Sequence, residues 1–376
     1  MVLNVSNERP EDIIRKFLED ASKGVKVTVV SSYDVMSVIT AGILGRAFRA
    51  LDIEFEILGE ESKEAIESNA ILINCQVGSC SNCIMVFESR SEYVSKRGST
   101  YILKLATLPE SFRRILAEYV IIPKEVRYLV LASILSKYTP RLLFKRLDNN
   151  DLKVFDEALK DGIIESVPGL KLMGWGIAPI TNILKCSVDA LITKFFMSDE
   201  VEKEREIKLS SNDIASLLEL KSSDELLSNN YIIKDNWVVK DLYQLTYSLI
   251  YGLDVMGIDL STLVMNTNKV TWLVREFMES LINIKELLNL VLSGKFTKYG
   301  KYYIVEHDVN IEKTSITVLN KVLKGMKLIS NEEAVIIKLD DNLFVPLQLA
   351  NGKIINKAVG IKHGYAVIKN IKDLLK

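Results

Sequence analysis

The sequence predicts an α/β protein with a parallel-sheet domain, a helical insert and a C-terminal α/β domain. Apolar β-branched runs alternate with amphipathic helical stretches over the first third of the chain, which is typical of a parallel sheet covered by helices. The middle of the chain has helical periodicity, and strand-like runs return after residue 301. The 376 residues are enough for two or three domains, which we expect at 1–195, 196–295 and 296–376.

The predicted elements of the first domain begin with a β-branched strand at Val25–Ser32. A helix is expected at Val35–Leu51, because its apolar residues recur at helical spacing. A short helix is predicted at Ser62–Ser68, and further strands are predicted at Phe55–Leu58, Ala70–Cys75, Ile84–Glu88 and Thr100–Leu105. Since ligands of such sheets bind outside the carboxyl ends of the strands, we expect a site in segments 31–37, 75–83 and 88–92.

The rest of the chain is predicted to be mainly helical until a second group of strands. Helical periodicity extends from Pro109 to about Lys194, with a break that contains Gly and Pro at Pro168–Pro179, and it returns over 210–292. The charged run 198–208 is the linker candidate between them. Strand-like runs then follow at Tyr302–Glu306, Ala334–Leu339 and Leu343–Leu347, with a helix near 314–324 and a final short helix at Ile368–Leu375. This order predicts an α/β C-terminal domain behind the helical insert.

The charge counts limit the partners that the chain can bind. Lys and Arg total 48 against 49 Asp and Glu, so the net charge of −1 gives no global basic field for nucleic acid. One local patch is a candidate for contacts with single-stranded DNA, because its basic residues lie at helical spacing with two aromatic residues between them: Lys137, Arg141, Lys145 and Arg146. A solvated helix face is the favoured alternative for this patch.

The sequence does not resemble that of a secreted or membrane protein. Residues 1–12 already carry four charged side chains, unlike a secretory signal, and no apolar run of about 18 residues is free of charges. We therefore expect a cytoplasmic protein with no membrane partner. The two histidines, His307 and His363, are too few for a histidine-rich metal site.

Three of the four cysteines lie close together as Cys75-x4-Cys80-x2-Cys83, and Cys186 lies far downstream. This spacing formally matches a plant-type iron–sulfur site, and a Cys80–Cys83 disulfide is a second alternative. Inert thiols are the favoured interpretation, because Cys75 ends a predicted buried strand, where cysteine often serves as a small core residue. We predict no cofactor.

The segment that opens the first helix, Ser31-Ser32-Tyr33-Asp34-Val35-Met36-Ser37, contains a single carboxylate. A divalent metal ion that carries out phosphoryl chemistry needs several oxygen or imidazole ligands. Asp34 is therefore predicted to cap the helix that begins near Val35 rather than to bind a metal ion. We also expect its carboxylate to pair with Arg90 across the strand ends.

This strand–SSYDVMS–helix segment, continued by VITAGILGRAFRALDIEFEI, resembles the first motif of the RecJ-like DHH phosphoesterases. In that family a Thr/Ser-His-x-Asp-x-Asp-Gly motif precedes a helix rich in small residues. On that motif Asp34 matches the first Asp, while Ser32 replaces the His and Met36 replaces the second Asp. The resemblance extends along most of the chain and implies a DHH-like domain followed by a DHH-associated C-terminal domain.

The later motifs of the family are altered in this chain. An Asp-x-Gly motif reads Gln-Val-Gly, and the name-giving Asp-His-His reads Glu-Ser-Arg. The family's metal-site positions therefore read Ser32, Asp34, Met36, Gln76, Glu88, Ser89 and Arg90. In the C-terminal domain His363 matches a substrate-binding histidine, whereas Gln348 stands where the family has an arginine. Only Asp34 and Glu88 could hold a cation, so the resemblance implies that catalysis is lost.

A degenerate protein of this kind resembles the archaeal counterparts of the cell-division-cycle-45 family. That family associates with the GINS complex and the MCM motor of the replicative helicase. The resemblance implies a non-catalytic replication factor that binds GINS, supports MCM through GINS and contacts single-stranded DNA. Two alternatives stay open: an active DHH-type single-strand exonuclease that uses Asp34 and Glu88, and a metal or iron–sulfur protein that uses Cys75, Cys80 and Cys83.

Overall fold

The chain divides into two units, each of which is formed by several segments. The first unit comprises 1–134, 149–154 and 256–269, and the second comprises 135–148, 155–255 and 270–376. The computed structural model describes residues 4–6, 8–66, 68–75, 80–144, 146–198, 210–218, 220, 222–350 and 352–374. The linker candidate at 198–208 lies almost wholly outside the described residues. The division into domains 1–195, 196–295 and 296–376 stays a prediction.

A seven-stranded sheet forms the first unit. Its strands are β1 Asn4–Ser6, β2 Val27–Ser31, β3 Phe55–Gly59, β4 Ser68–Ile73, β5 Ser81–Glu88, β6 Tyr93–Arg97 and β7 Thr100–Leu105, and they lie in the order β1-β6-β7-β5-β4-β2-β3. The strands from β7 to β3 pair in parallel, and β6 and β1 add antiparallel at one edge. Successive residues Val29 and Val30 of β2 are both buried, as expected of a central parallel strand. The predicted parallel α/β sheet is confirmed, although the antiparallel strands β1 and β6 were not predicted.

The α-helices are α1 Pro10–Ala21, α2 Val35–Ala50, α3 Leu108–Leu116, α4 Lys124–Leu135, α5 Asn149–Lys160, α6 Ile180–Cys186, α7 Ser211–Leu217, α8 Leu242–Met256, α9 Thr262–Met265, α10 Lys269–Leu292, α11 Ile316–Gly325 and α12 Gly352–Ile355. Helix α2 is buried on nearly all sides, because it contacts the sheet as well as α3 and α9 of the first unit. Gly42 allows the close contact with α9, since a Cβ there would lie 2.7 Å from a methyl carbon of Val264. The predicted helix at Val35–Leu51 is confirmed to within one residue.

The second unit contains a six-stranded sheet near the end of the chain. Its strands are β10 Thr297–Tyr299, β11 Tyr302–Glu306, β12 Ala334–Leu339, β13 Asn342–Pro346, β14 Gly360–Lys362 and β15 Tyr365–Ile368, in the order β10-β11-β12-β13-β15-β14. The predicted C-terminal α/β domain therefore has its expected strands. The final helix predicted at Ile368–Leu375 is wrong, because Ile368 ends β15 and a 3₁₀ turn follows at Ile371–Leu374.

A separate two-stranded sheet lies in the region that was predicted to be helical. Strand β8 at Ile164–Leu170 pairs antiparallel with β9 at Leu227–Ile233. Pro168 and Gly169 make β8 a poor helix former. Strand β9 buries its second half, Asn230–Ile233, where three of the four residues are apolar. The helical prediction failed here because the partner strand, which decides the conformation of each segment, is distant in sequence.

One stretch, Leu242–Met265, is long and apolar enough to cross a membrane by length and composition alone. It contains α8 and α9, and 72% of its most apolar window is buried inside the structure. It also carries the carboxylates Asp254 and Asp259. Burial on this scale is what the core helix of a folded domain requires.

Candidate functional site at the strand ends

Asp34 lies between the end of β2 and the start of α2, at the carboxyl edge of the parallel strands. Its Oδ1 accepts a hydrogen bond of 2.8 Å from the backbone N–H of Ser37, which makes Asp34 the N-cap of α2. Its Oδ2 accepts hydrogen bonds from the hydroxyl groups of Ser32 and Ser37, at 2.6 and 2.5 Å. The predicted capping role is confirmed, and both carboxylate oxygens are engaged.

Asn74 belongs to the same site but was not predicted from the sequence. It follows β4 directly, with a φ of 54° that asparagine tolerates better than most residues. Its Nδ2 donates to the Ser37 hydroxyl at 2.8 Å, and its Oδ1 accepts from the backbone N–H of Glu88 at 3.2 Å. The side chain thus links the ends of β4 and β5 to α2. The sequence did contain a signal for this position, because a polar residue follows the apolar run Ala70–Ile73. The predicted strand extended to Cys75, however, and therefore placed Asn74 inside the strand instead of at its end.

Ser32, Asp34, Ser37 and Asn74 together form what we call the strand-end network. It contains one carboxylate, two hydroxyl groups and one neutral amide, and these groups hydrogen-bond to one another. Hard divalent cations in proteins are held mainly by carboxylate and carbonyl oxygens. The strand-end network therefore fastens the start of α2 to the sheet, and its polar groups are used for that purpose.

Of the other metal-site positions of the resemblance, Glu88 contacts the strand-end network through its backbone N–H, which donates to Asn74. Met36 is buried within α2, and Arg90 is exposed. The Ser89 hydroxyl accepts a long hydrogen bond, 3.4 Å, from a backbone N–H two residues later. The expected ion pair between Asp34 and Arg90 is wrong, because the carboxylate is bound by hydroxyl groups instead. Gln76 lies outside the described residues.

Two glutamates lie near the strand-end network. Glu61 accepts a hydrogen bond of 3.0 Å from the Tyr33 hydroxyl, and burial together with the charge of Glu61 raises the pKa of Tyr33 well above its usual range. Burial also raises the pKa of Glu60, and the nearby charges of Glu61 and Asp34 act in the same direction. In the part of the chain that the structure describes, no three His, Cys, Asp or Glu side chains are grouped so that they could hold a metal ion.

The cysteines are divided between a disulfide and two thiols. Cys80 and Cys83 are joined at the start of β5, so free thiols, the favoured interpretation of the sequence, are wrong for this pair. Disulfide sulfurs are not the thiolates that an iron–sulfur or zinc centre requires, and the metal-centre alternative loses two of its ligands. Cys75 is a buried free thiol whose pKa is raised by burial, and Cys186 is a half-buried free thiol in the second unit.

The basic patch predicted for DNA does not form a helix face. Residues 136–143 form two short 3₁₀ turns separated by Pro140, which cannot continue a helix. Arg141 is 3% exposed, and its Nε lies 3.4 Å from a carboxylate oxygen of Asp189. Its guanidinium carbon also lies 3.9 Å from the ring centre of Tyr243. Because Arg141 is buried and paired, its predicted contact with DNA is wrong.

The other members of the basic patch have different surroundings. Lys137 is half-buried, with its ammonium nitrogen 5.7 Å from the ring centre of Tyr138. Arg146 is exposed, and Lys145 lies outside the described residues. Lys137 and Arg146 therefore remain candidates for contact with a phosphate backbone.

The two C-terminal positions of the resemblance lie in the second unit and differ in exposure. Gln348 donates from Nε2 to Oδ1 of Asp254 at 2.8 Å and to the carbonyl oxygen of Ile250 at 3.0 Å. The His363 side chain is 38% exposed at the turn between β14 and β15, and its Nε2 lies 3.7 Å from a carboxylate oxygen of Glu312. Gln348 is thus bound to the interior of its unit, whereas a ligand-binding role of His363 stays a prediction.

Asp254 is a buried carboxylate at the centre of these C-terminal contacts. Besides the Gln348 amide, it accepts hydrogen bonds from the Ser315 hydroxyl at 2.7 Å and from both the backbone N–H and the hydroxyl of Thr317 at 2.8 Å. Burial nevertheless raises its pKa to about 6, and the hydrogen bonds oppose that rise. The contacts join α8 to the start of α11, so Asp254 acts in the architecture of the second unit.

No family model matches this chain, and no curated protein matches it. CDC45 from Entamoeba histolytica has a similar structure, with a TM-score of 0.58 at 10% sequence identity over 89% of this chain and 86% of that chain. The exonuclease RecJ bound to manganese has a TM-score of 0.45 at 10% sequence identity over 100% of this chain and 92% of that chain. RecJ from Thermus thermophilus with Mn²⁺ has a TM-score of 0.45 at 10% sequence identity over 99% of this chain and 54% of that chain. The chain therefore has a mixed α/β fold similar to that of CDC45.

Proposed function

We propose that this protein is a non-catalytic DNA-replication factor. In this proposal it is a cytoplasmic scaffold subunit of a replicative helicase, which binds the GINS complex and supports the MCM motor through it. The observation that carries the proposal is the strand-end network, in which Asp34 is the only carboxylate and is already bound by Ser32 and Ser37. The similarity of the fold to that of CDC45 supports the same proposal.

The chemistry of the strand-end network argues against phosphoester cleavage. A two-metal reaction needs cations at both the attacking and the leaving oxygen, and each cation needs several oxygen ligands. Asn74 turns an N–H donor towards the Ser37 hydroxyl, and such a donor repels a cation. We therefore assign the network a structural role, which leaves the outer surfaces of the protein as the functional part.

Contact with single-stranded DNA is a further part of the proposal, and Arg146 and Lys137 are its candidate residues. Contacts between basic side chains and phosphates weaken as the salt concentration rises. Fluorescence anisotropy with a labelled oligonucleotide should therefore give a salt-dependent affinity that falls in the double variant Lys137→Gln, Arg146→Gln. Equal affinity of the wild type and the double variant would remove these two residues from the proposal.

The partner is tested by size-exclusion chromatography of the full chain with the purified GINS complex of the same organism. We expect one peak that contains both the chain and the GINS complex. A stable interface buries about 1,200 Å² or more of accessible surface, and a complex of that kind should stay intact during the separation. Asp34→Ala should co-elute in the same way, since the strand-end network is assigned to the interior and not to the contact surface. Separate elution at micromolar concentration, with no GINS subunit recovered by affinity purification from cells, would contradict the proposal.

A further inference from the structure

A cavity of about 310 Å³ lies within the second unit, between the segment around Gly174, α6, the start of α8 and α10. This volume is at the lower end of the range for small-ligand sites, which is about 300–1,000 Å³. Met173 and Ile183 are buried in its wall, and Met278 of α10 completes the apolar lining. Methionine side chains adapt their shape to the ligand that they contact, so the wall suits a hydrocarbon chain.

One carboxylate, that of Asp241, faces this cavity. Asp241 is 6% exposed and precedes α8. Its Oδ1 accepts a hydrogen bond of 2.7 Å from the backbone N–H of Tyr243, and its Oδ2 accepts one from the backbone N–H of Gly174. The backbone N–H of Gln244 is a third donor to this carboxylate. An ionised carboxylate has about four lone-pair sites, so the three donors leave it with capacity to accept from a ligand.

No cationic side chain of the described residues forms an ion pair with Asp241 within 4.0 Å. Lys240 lines the same cavity, but its ammonium group donates to the carbonyl oxygen of Asp235. The guanidinium group of Arg141 is paired with Asp189. Burial raises the pKa of the Asp241 carboxyl group, and the charge of Arg141 together with backbone N–H groups opposes that rise. A cation bound in the cavity would stabilise the ionised carboxylate further, because an opposite charge nearby favours the charged form.

We propose that this cavity binds an aliphatic cation, meaning a primary amine or guanidinium group on a hydrocarbon chain. The cationic head lies at Asp241, and the chain lies against Met173 and Met278. A free alkylamine and the Lys or Arg side chain of a peptide share this chemistry. Neutral or anionic molecules of the same length fill the same space without the Coulomb attraction, which is strong at a buried carboxylate.

The test is calorimetric titration of the full chain with n-hexylammonium, and with n-hexanol and n-hexanoate as the matched neutral and anionic probes. We expect saturable binding of hexylammonium with a dissociation constant at least about tenfold below those of the other two. Asp241→Asn should remove that preference, because asparagine keeps the helix cap but not the charge. Asp224→Asn, the same change at an exposed carboxylate outside the cavity, should leave binding unchanged. Lys240→Met should tighten binding, since it removes a competing positive charge.

Two further arms identify the source of the ligand and guard against a misfolded variant. Nα-acetyl-lysine methylamide that binds as tightly as hexylammonium indicates a peptide side chain, whereas binding of hexylammonium alone indicates a small amine. Ala178→Leu should fill the cavity and abolish binding without changing the carboxylate, which keeps the test valid if Asp241→Asn does not fold. The proposal would be overturned if hexylammonium and hexanol bound with equal affinity or if no probe showed saturable binding. It would also be overturned if Ala178→Leu bound hexylammonium as tightly as the wild type.

Discussion

Asp254 should make the second unit less stable as the pH rises through the weakly acidic range. Its carboxylate is buried in α8 and accepts hydrogen bonds from Ser315, Thr317 and Gln348. Burial outweighs these donors and raises its pKa from 3.8 to about 6. In the unfolded chain the carboxyl group ionises near its ordinary value. Between these two values the folded protein therefore holds a proton that the unfolded chain releases.

The sign and size of the effect follow from this difference in bound protons. Where the folded state binds more protons than the unfolded state, the free energy of unfolding falls as the pH rises. A shift of about two pKa units lowers the free energy of unfolding by about 3 kcal/mol once Asp254 is ionised in both the folded and the unfolded state. About 2 kcal/mol of this should be lost between about pH 4.5 and pH 7, and above that range the contribution stays constant.

Urea unfolding of the wild type and of Asp254→Asn at several pH values isolates the contribution of this carboxylate. All three tryptophans lie in the second unit, so their fluorescence reports on its unfolding: Trp175, Trp237 and Trp272. The stability of the wild type relative to Asp254→Asn should decrease with rising pH, whereas Asp224→Asn, at an exposed position, should show a constant difference. A relative stability that stays constant or increases with pH would mean that the hydrogen-bond donors outweigh burial.

Three further predictions concern capping, the buried ion pair and the disulfide. Asp34→Ala should lower the free energy of unfolding by about 0.5–2 kcal/mol through loss of the α2 cap, measured by urea unfolding, and an unchanged midpoint would contradict the capping role. Arg141→Met should lower the free energy of unfolding by about 3–5 kcal/mol in the same assay, because it removes the cation that pairs with the buried Asp189. Arg146→Met, at an exposed position, should change the free energy of unfolding by no more than about 0.5 kcal/mol. Mass spectrometry after iodoacetamide treatment without reductant should find Cys80 and Cys83 unmodified, and alkylation of both would disprove the disulfide.

The sequence predicted those features that depend on neighbouring residues. Helix α2 and its cap at Asp34 were predicted because apolar spacing and N-capping act within a few residues. Asn74 was missed because its partner Ser37 lies 37 positions away. Arg141 was assigned to the surface for a similar reason, since Asp189, whose carboxylate it pairs with, lies 48 positions away. Contacts of that kind depend on the folded arrangement of the chain.

The state of the cysteines also needed the structure. The spacing of Cys80 and Cys83 was compatible with thiols, a disulfide or a metal centre, and the pattern alone could not distinguish them. In the fold their Cα atoms are 5.7 Å apart at the start of β5, which is within the range that a disulfide spans.

A nuclease assay on the purified full chain tests most directly whether the strand-end network is non-catalytic. The substrate is 5′-labelled single-stranded DNA with added Mn²⁺, and the matched variant is Asp34→Ala. We predict no shortened product from either protein, because the single carboxylate of the network is used as a helix cap. Shortening of the DNA by the wild type that disappears in a folded Asp34→Ala variant would contradict the proposed function.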